Sequence, residues 1–423
     1  MERPVWLAAG VRTPFTRVDG GLAKRDAIAL GVPVLQAMAE RVRSSGRIDS
    51  AVWGSVIPSL RYSNLARETW LDAKLDPTVP TSTVVMQCST SMMAAFDLAG
   101  LIGRGVGELG LAGGAESMTH VQVGLTQPLS DWMRRVSQAR DWKARATVAG
   151  RVPRHDIGLQ LQSIKNRTTG KSMGEHSEET AKAWEIGRQE QDVLALESHQ
   201  RAVAAQQRGF FADLIVPTDG VDQDGFPRKD TSIEALSRLP PVFDRTSGHG
   251  TATAGNSSPL TDGAAAVWVA SEKGLARLGS STPRARLIDF ELGAVDIQSE
   301  GLLMAPAYAI PRLLARNRLQ YADIALWEIH EAFTAQVLYQ LKALDSPAFV
   351  RDKAKVDAAL GEVPRSRLNP NGGSVALGHP FGATGARILS QTVKELATMP
   401  TGSRALVSIC ADGGLGTVAL LEA

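Results

Sequence analysis

Asn369-Pro-Asn-Gly-Gly-Ser-Val-Ala-Leu-Gly-His-Pro-Phe-Gly-Ala-Thr-Gly-Ala-Arg387 is the stretch from which the organisation of the whole chain can be read. It carries one histidine, His379, among glycines that tolerate positive φ and the close approach of a ligand, and Pro380 restricts the backbone just after it. Leu389, Val393 and Leu396 then recur at helical spacing, so a helix is predicted to start near Gly382 with its free N–H groups directed back at His379. A histidine in a glycine-rich loop is more often structural than chemical. Its meaning depends on what the rest of the chain brings to it.

Working outward, Gly378-His-Pro-Phe-Gly-Ala383, a helix, and Leu406-Val-Ser-Ile-Cys-Ala-Asp-Gly-Gly414 match an earlier series in form: Cys88-Ser-Thr-Ser-Met-Met-Ala-Ala95, a helix, and Leu109-Gly-Leu-Ala-Gly-Gly-Ala115. Each is a turn, a helix and a strand ending in a glycine-rich loop. The surrounding pattern repeats too. Strands at Val5–Ala9, Val52–Ile57, Thr83–Met86 and Leu109–Ala112 alternate with helices around Ala27–Val42, Ala66–Ala73 and after Thr90. Strands at Arg286–Phe290, Ile324–Glu328 and Ala405–Ile409 alternate with helices around Ala307–Asn317 and from Glu331. This is an α/β chain of two similar halves, with a mostly parallel sheet expected. Between them, 120–248 is polar and rich in Arg and Gln, with its best helix at Gln189–Gln207, and reads as an inserted lobe. The divisions are 1–119 plus 249–279, 120–248, and 280–423.

Composition narrows the function. The 423 residues are 43% hydrophobic, enough for a large core, and 46 Lys and Arg against 44 Asp and Glu leave a net charge of +2, which gives no general attraction for nucleic acid. Two cysteines cannot form a disulfide framework, no targeting leader is expected ahead of the first strand unless one was removed beforehand, and there is no membrane-length apolar run, so a reducing cytoplasm is expected. Both cysteines fall at predicted strand ends. In open α/β sheets ligands gather outside the carboxyl ends of strands, so Cys88, His330, His379 and Cys410 are expected around one crevice. The helix after Cys88 is expected to lower its pKa, as a nucleophile requires. Cys410 opens a loop whose glycines free N–H groups for a ligand oxygen, and His330 stands where a histidine can donate to an oxyanion; taken singly, inert packing of a buried Cys88, an ordinary glycine turn after Cys410 and a helix cap at His330 are the plainer readings.

With Val11-Arg-Thr-Pro-Phe15, Gly113-Gly-Ala-Glu-Ser-Met118, Ser198-His-Gln-Arg201, Thr253-Ala-Gly-Asn-Ser-Ser258, His330-Glu-Ala-Phe333, Gly378-His-Pro380 and Cys410, the chain resembles the thiolases over nearly its whole length. Within them it is most similar to the β subunits of fatty-acid oxidation (trifunctional) complexes, because most of the family has Asn where this chain has His330. The resemblance implies two βαβαβαββ halves in an α-β-α-β-α layering. It further implies cleavage of a 3-oxoacyl-CoA by coenzyme A to acetyl-CoA and a shortened acyl-CoA in β-oxidation, with CoA as co-substrate and no resident cofactor or metal. Cys88 is then the nucleophile, His379 its base and Cys410 the proton shuttle. His330 forms an oxyanion site, and the backbone N–H groups of Cys88 and Asp412 form another. Met173, Ser258 and Phe333 are implied to touch CoA. A homodimer or larger assembly, a hydratase/dehydrogenase α subunit and a peripheral membrane contact are the implied partners.

Two positions depart from the family pattern. Asp412 replaces the usual Gly or Ala, and an inward carboxylate there is expected to raise the pKa of Cys410; Ser91 stands where Gly is common. The competing functions are a condensing enzyme of the ketoacyl-synthase type, an acetoacetyl-CoA thiolase and a non-catalytic scaffold subunit. Cys410 argues against the synthase, which needs no second cysteine. Within the lobe, Val121–Arg154 carries seven basic residues against two acidic ones, and Trp132, Val136, Ala139 and Trp142 are spaced for one amphipathic helix with a basic face. Such a helix suits docking or an anionic interface.

Overall fold

The structure, a computed structural model, describes residues 3–42, 46–163 and 165–423. Its strands are β1 (Val5–Ala8), β2 (Thr16–Arg17), β3 (Ser50–Gly54), β4 (Thr81–Thr83), β5 (Leu109–Glu116), β6 (Gly124–Leu125), β7 (Leu159–Gln160), β8 (Thr261–Ala270), β9 (Arg284–Ala294), β10 (Leu326–Ile329), β11 (Arg404–Ala411) and β12 (Leu415–Glu422). The main sheet runs β10-β11-β12-β9-β1-β8-β5-β3-β4, with β2 paired to β8. Its order is symmetrical about the antiparallel β1–β9 pair. Moving outward on one side, β1–β8 and β8–β5 are antiparallel and β5–β3 is parallel. On the other side β9–β12 and β12–β11 are antiparallel and β11–β10 is parallel. The duplication seen in the sequence is therefore a duplication of strand order.

The expected mostly parallel sheet is corrected, since only the outer pairs are parallel. β12, absent from the strands expected above, explains half of this. It follows β11 across a short turn in which Gly413 and Gly414 take φ of 85° and 75°, and so tight a connection can only join antiparallel neighbours.

One face of both half-sheets closes on two central helices, Thr90–Gly103 and Thr384–Leu396, through Leu7, Val267, Val407 and Ile409 against Met92, Leu98, Ile388 and Leu389. The helices touch directly, because a Cβ on Gly385 would lie 2.4 Å from the Met92 nitrogen. Ser91, the second departure, serves that contact: its Oγ accepts the Ala386 N–H at 2.9 Å. Outside the sheet, helices Ala27–Glu40 and Leu65–Asp72 pack over Trp53 and Trp268, and helices Ala305–Arg316 and Thr334–Leu344 pack over Trp327. The layering is α-β-α-β-α. Burying each of Met92, Leu98, Ile388 and Leu389 contributes roughly 1.5–3 kcal/mol, which makes the central layer a rigid mount for whatever precedes its two helices.

The segment between β5 and β8 has two parts of different character. Among the described residues from Thr119 to Met173 none is buried, and this part holds the β6–β7 ribbon and helices Gln127–Gln138 and Trp142–Ala149. The single helix expected through Trp132 and Trp142 is broken: Ala139 is extended at ψ 131°, and the Asp141 carboxylate starts a new helix by accepting the Ala144 N–H. Beyond it, helices Met173–Ala183 and Arg188–Gln207 do reach the body. Ala181 joins a core with Ala335 and Tyr339, and Leu194 packs with Val337 and Leu341.

Candidate active site

The two central helices begin at equivalent places in the two halves, and the residues just ahead of them meet. Cys88 lies in a short 3-10 turn, Gln87–Ser89, that leads into the first helix; His379 lies in the loop that leads into the second. Gly378, at φ 96°, makes the sharp turn before the histidine, and Thr261 Oγ1 accepts the His379 N–H at 2.9 Å. The His379 Nε2 atom is 3.2 Å from Cys88 Sγ. Cys88 Sγ and one ring nitrogen each of His330 and His379 all lie within 4.8 Å of one another. The His330 and His379 rings are 4.2 Å apart at their centroids.

Hydrogen-bond bookkeeping assigns the protons of His379. The Thr384 hydroxyl gives its hydrogen to the Pro380 carbonyl at 2.9 Å, so its oxygen must accept from His379 Nδ1 at 2.7 Å. Nδ1 therefore carries the hydrogen, and the Nε2 lone pair faces the thiol. This is the arrangement a base requires. Burial, reinforced by the Arg387 charge, lowers the His379 pKa to about 3, so the ring rests neutral.

The helix does not lower the Cys88 pKa as expected. Burial pushes it up to about 12, the Asp412 charge adds to the rise, and the backbone N–H groups of Cys88 and Asp412 facing the sulfur only partly offset it. Removal from water costs the thiolate more than one helix end returns. The resting pair is a neutral thiol beside a neutral imidazole.

His330 follows β10, and the helix expected to start at Glu331 starts at Thr334. Glu331 braces the loop instead, accepting from Ser198 Oγ at 2.7 Å and from Asn369 Nδ2 at 2.6 Å. His330 Nδ1 lies 3.0 Å from Ser374 Oγ, while its Nε2 is buried with no partner among the described residues. Its pKa is well below the usual value, through burial and then the charges of His379 and Arg387. Cys410, near the end of β11, is buried; burial and then Cys88 push its pKa well above the usual thiol value. Asp412 is not among the groups that shift the Cys410 thiol. Its carboxylate turns to Asn166 Nδ2 at 2.9 Å and to the Gly413 N–H at 2.7 Å, and its charge bears on Cys88.

The three residues read as CoA contacts converge near the His330 loop. Phe333, at the helix start, packs in one cluster with Met173 and Cys410, and the Ser258 N–H donates to the Ala332 carbonyl at 2.9 Å. Sequence reasoning missed Thr384, Ser374, Thr261 and Arg387. Two of these carried a legible signal: Ser374 and Thr384 are hydroxyls five residues to either side of His379 in the opening stretch.

Comparison with known proteins agrees with this geometry. Residues 5–273 match the family model described as thiolase, N-terminal domain, and residues 281–423 match thiolase, C-terminal domain. The chain is 36% identical to a 3-ketoacyl-CoA thiolase of Yersinia enterocolitica, over 98% of this chain and 96% of that protein. The corresponding Yersinia pestis protein is also 36% identical, with the same coverage. Among solved structures, the acetyl-CoA acetyltransferase of Bacillus anthracis superposes with a TM-score of 0.82 at 30% identity, covering 100% of this chain and 99% of that one. A thiolase from Ascaris suum in complex with coenzyme A gives 0.80 at 28% identity, with 99% and 100% covered.

Proposed function

Because the chain belongs to the thiolase family, we propose that it is a 3-ketoacyl-CoA thiolase, an acyltransferase that cleaves a 3-oxoacyl-CoA with CoA in fatty-acid β-oxidation. The observation that carries this reading is the 3.2 Å approach of the unprotonated His379 Nε2 to Cys88, with the unpartnered His330 Nε2 beside them. In the first half-reaction His379 takes the Cys88 proton and the sulfur adds to the 3-keto carbon. The Cys88 and Asp412 N–H groups receive the negative oxygen that forms. As the C2–C3 bond breaks, the electron pair passes into the acetyl-CoA enolate, whose thioester oxygen is held by His330 and by the now protonated His379. Cys410 protonates the enolate carbon and is reprotonated from His379. In the second half-reaction the CoA thiol gives its proton to His379 and attacks the acyl-Cys88 thioester. The shortened acyl-CoA leaves, and the proton returns to Cys88.

Met173, Ser258 and Phe333 line the approach for CoA in this scheme, and the lobe of 120–248, inserted between halves 1–119 plus 249–279 and 280–423, flanks it. CoA is a substrate here and no resident cofactor enters. Free Cys88 and Cys410 suit a reducing cytoplasm. A homodimer or larger assembly is expected, and light scattering tests it. The unburied part of the lobe, with its excess of basic residues and Trp142 74% exposed, supports a second reading: a contact with an anionic membrane or a hydratase/dehydrogenase subunit. The function is tested by thiolysis of 3-oxoacyl-CoAs from short to long chains, with mass-spectrometric mapping of the acyl adduct. Acyl label on a residue other than Cys88, or decarboxylative condensation in place of thiolysis, overturns it.

A further inference from the structure

A buried guanidinium stands behind the two histidines, and the reaction as written does not use it. Arg387 is 3% exposed, and among the described residues it makes no ion pair within 4 Å. Its Nη2 donates to Ser374 Oγ at 2.7 Å, and that oxygen is also the partner of His330 Nδ1 at 3.0 Å. Ser374 has one hydrogen. Arg387 has only hydrogens to give, so it occupies a lone pair of the Ser374 oxygen and leaves the hydroxyl hydrogen free to point at His330 Nδ1. Accepting a ring N–H through its second lone pair would leave that hydrogen without an acceptor among the described residues, so the hydroxyl donates to Nδ1, which is the bare nitrogen of a neutral ring, and Nε2 carries the hydrogen. Nε2 is the buried ring atom without a partner. The groups around this ring are consistent with its neutrality: His379 and Arg387 both disfavour a second positive charge, and Glu331 is turned away to Ser198 and Asn369.

The arrangement is the inverse of that at His379. There a hydroxyl donates to a carbonyl and so accepts from the ring; here a hydroxyl accepts from a cation and so donates to the ring. We propose that Ser374 and Arg387 are positioning residues that hold His330 as its Nε2–H tautomer, so that a hydrogen-bond donor faces the substrate thioester oxygen before substrate arrives. The proposal rests on His330 being an oxyanion donor. It adds that the donor is set by a two-residue relay beginning at a buried cation, rather than by the histidine alone.

The test is the proton position itself. The chain has seven histidines, so 15N-histidine labelling of the intact enzyme gives a tractable spectrum, and the His330 signals are assigned by their loss in His330→Asn. Near neutral pH, His330 should show the Nε2–H pattern. In Ser374→Ala it should move to a mixture of tautomers, and in Ser374→Thr it should return. Because a misdirected oxyanion donor forfeits part of the roughly 10²–10³ such donors supply, kcat in Ser374→Ala should fall about 10–100-fold with KM nearly unchanged, and Ser374→Thr should recover it. Asparagine always presents an N–H, so adding Ser374→Ala to His330→Asn should change kcat by less than about twofold beyond His330→Asn alone. A resting His330 that is protonated on Nδ1 overturns the proposal, whatever the variants do. An equal loss on adding Ser374→Ala to either background does the same. Failure of the underlying reading looks different: His330→Ala would then thiolyse at the wild-type rate.

Discussion

Replacing His379 with alanine isolates the step on which the proposed chemistry depends. With its pKa raised to about 12, the Cys88 thiol on its own is ionised at pH 7 to roughly one part in 10⁵. The attraction between a thiolate and an imidazolium 3.2 Å apart is roughly 5 kcal/mol at an effective dielectric of 20, equivalent to between three and four factors of ten. His379→Ala is therefore expected to slow acylation of Cys88 at neutral pH by roughly 10³–10⁴, within the range for general-base loss. The pH dependence carries the sign. In the wild type the pair is neutral between the His379 value of about 3 and the Cys88 value of about 12, so acylation should be nearly flat from mildly acidic to mildly alkaline pH. In the variant only hydroxide can supply the thiolate, and the rate should climb about tenfold per pH unit. Stopped-flow acylation by acyl-CoA, with thiolate absorbance followed in parallel, measures both. A thiolate signal in the resting wild type at neutral pH, or a variant whose rate is as flat as the wild type's, would refute the neutral-pair argument.

Cys410→Ala should still acylate at Cys88, and it should lose exchange of the acetyl-CoA methyl hydrogens with deuterated solvent; normal exchange would make another group the shuttle. Arg134→Glu with Arg135→Glu should abolish co-sedimentation with anionic vesicles or co-purification with a hydratase/dehydrogenase subunit, while thiolysis of a short substrate survives. Loss of thiolysis with association intact would assign that segment to the CoA site. Burial raises the Glu328 pKa to about 8, so the folded state keeps a proton that the unfolded chain has released, and stability falls as pH rises from about 4.5 to 8. Glu328→Gln should flatten the dependence of Tm on pH over that window, and a slope as steep as that of the wild type counts against it.

The duplicated order of strands and helices was legible because it rests on local signals: short β-rich runs, helical spacing, and glycines at strand ends. Cys88, His330 and His379 could be found because each lies where a strand or loop feeds a helix. What the sequence concealed was pairing over long distances. Whether β5 lies antiparallel to β8 depends on the path of well over a hundred intervening residues, and no local pattern encodes it. The direction of the Cys88 shift was hidden for a similar reason. A helix end is visible in sequence, whereas the burial that outweighs it is contributed by the other half of the chain. The break at Ala139 is different, since Asp141 followed three residues later by Ala144 is a readable cap that the spacing of Trp and Val overshadowed.

The symmetry of strand order makes the asymmetry of the chemistry informative. The ends of β3 and β5 in one half correspond to the ends of β10 and β11 in the other. In the C-terminal half those ends carry His330 and Cys410. In the N-terminal half they are occupied by Glu116, whose buried carboxylate accepts from the Val56 and Ile57 N–H groups at 3.0 Å each, from Ser55 Oγ at 2.6 Å, and from the Gly382 N–H at 3.0 Å across the central layer. One half thus uses its strand ends to tie down the loop that carries His379, and the other uses them to carry the groups to which the proposed mechanism gives the oxyanion and proton-shuttle roles. Glu116→Gln separates the two roles, because an amide keeps the size of the side chain but can accept at only one of its two ends. It should displace Gly382 and lengthen the contact between His379 and Cys88 without touching either residue. The expected outcome is a kcat lower by roughly 10-fold or more, as small misplacements of catalytic groups produce, with a steeper pH dependence of acylation than the wild type. A variant with wild-type acylation at every pH would show that the central helices alone hold the base in place.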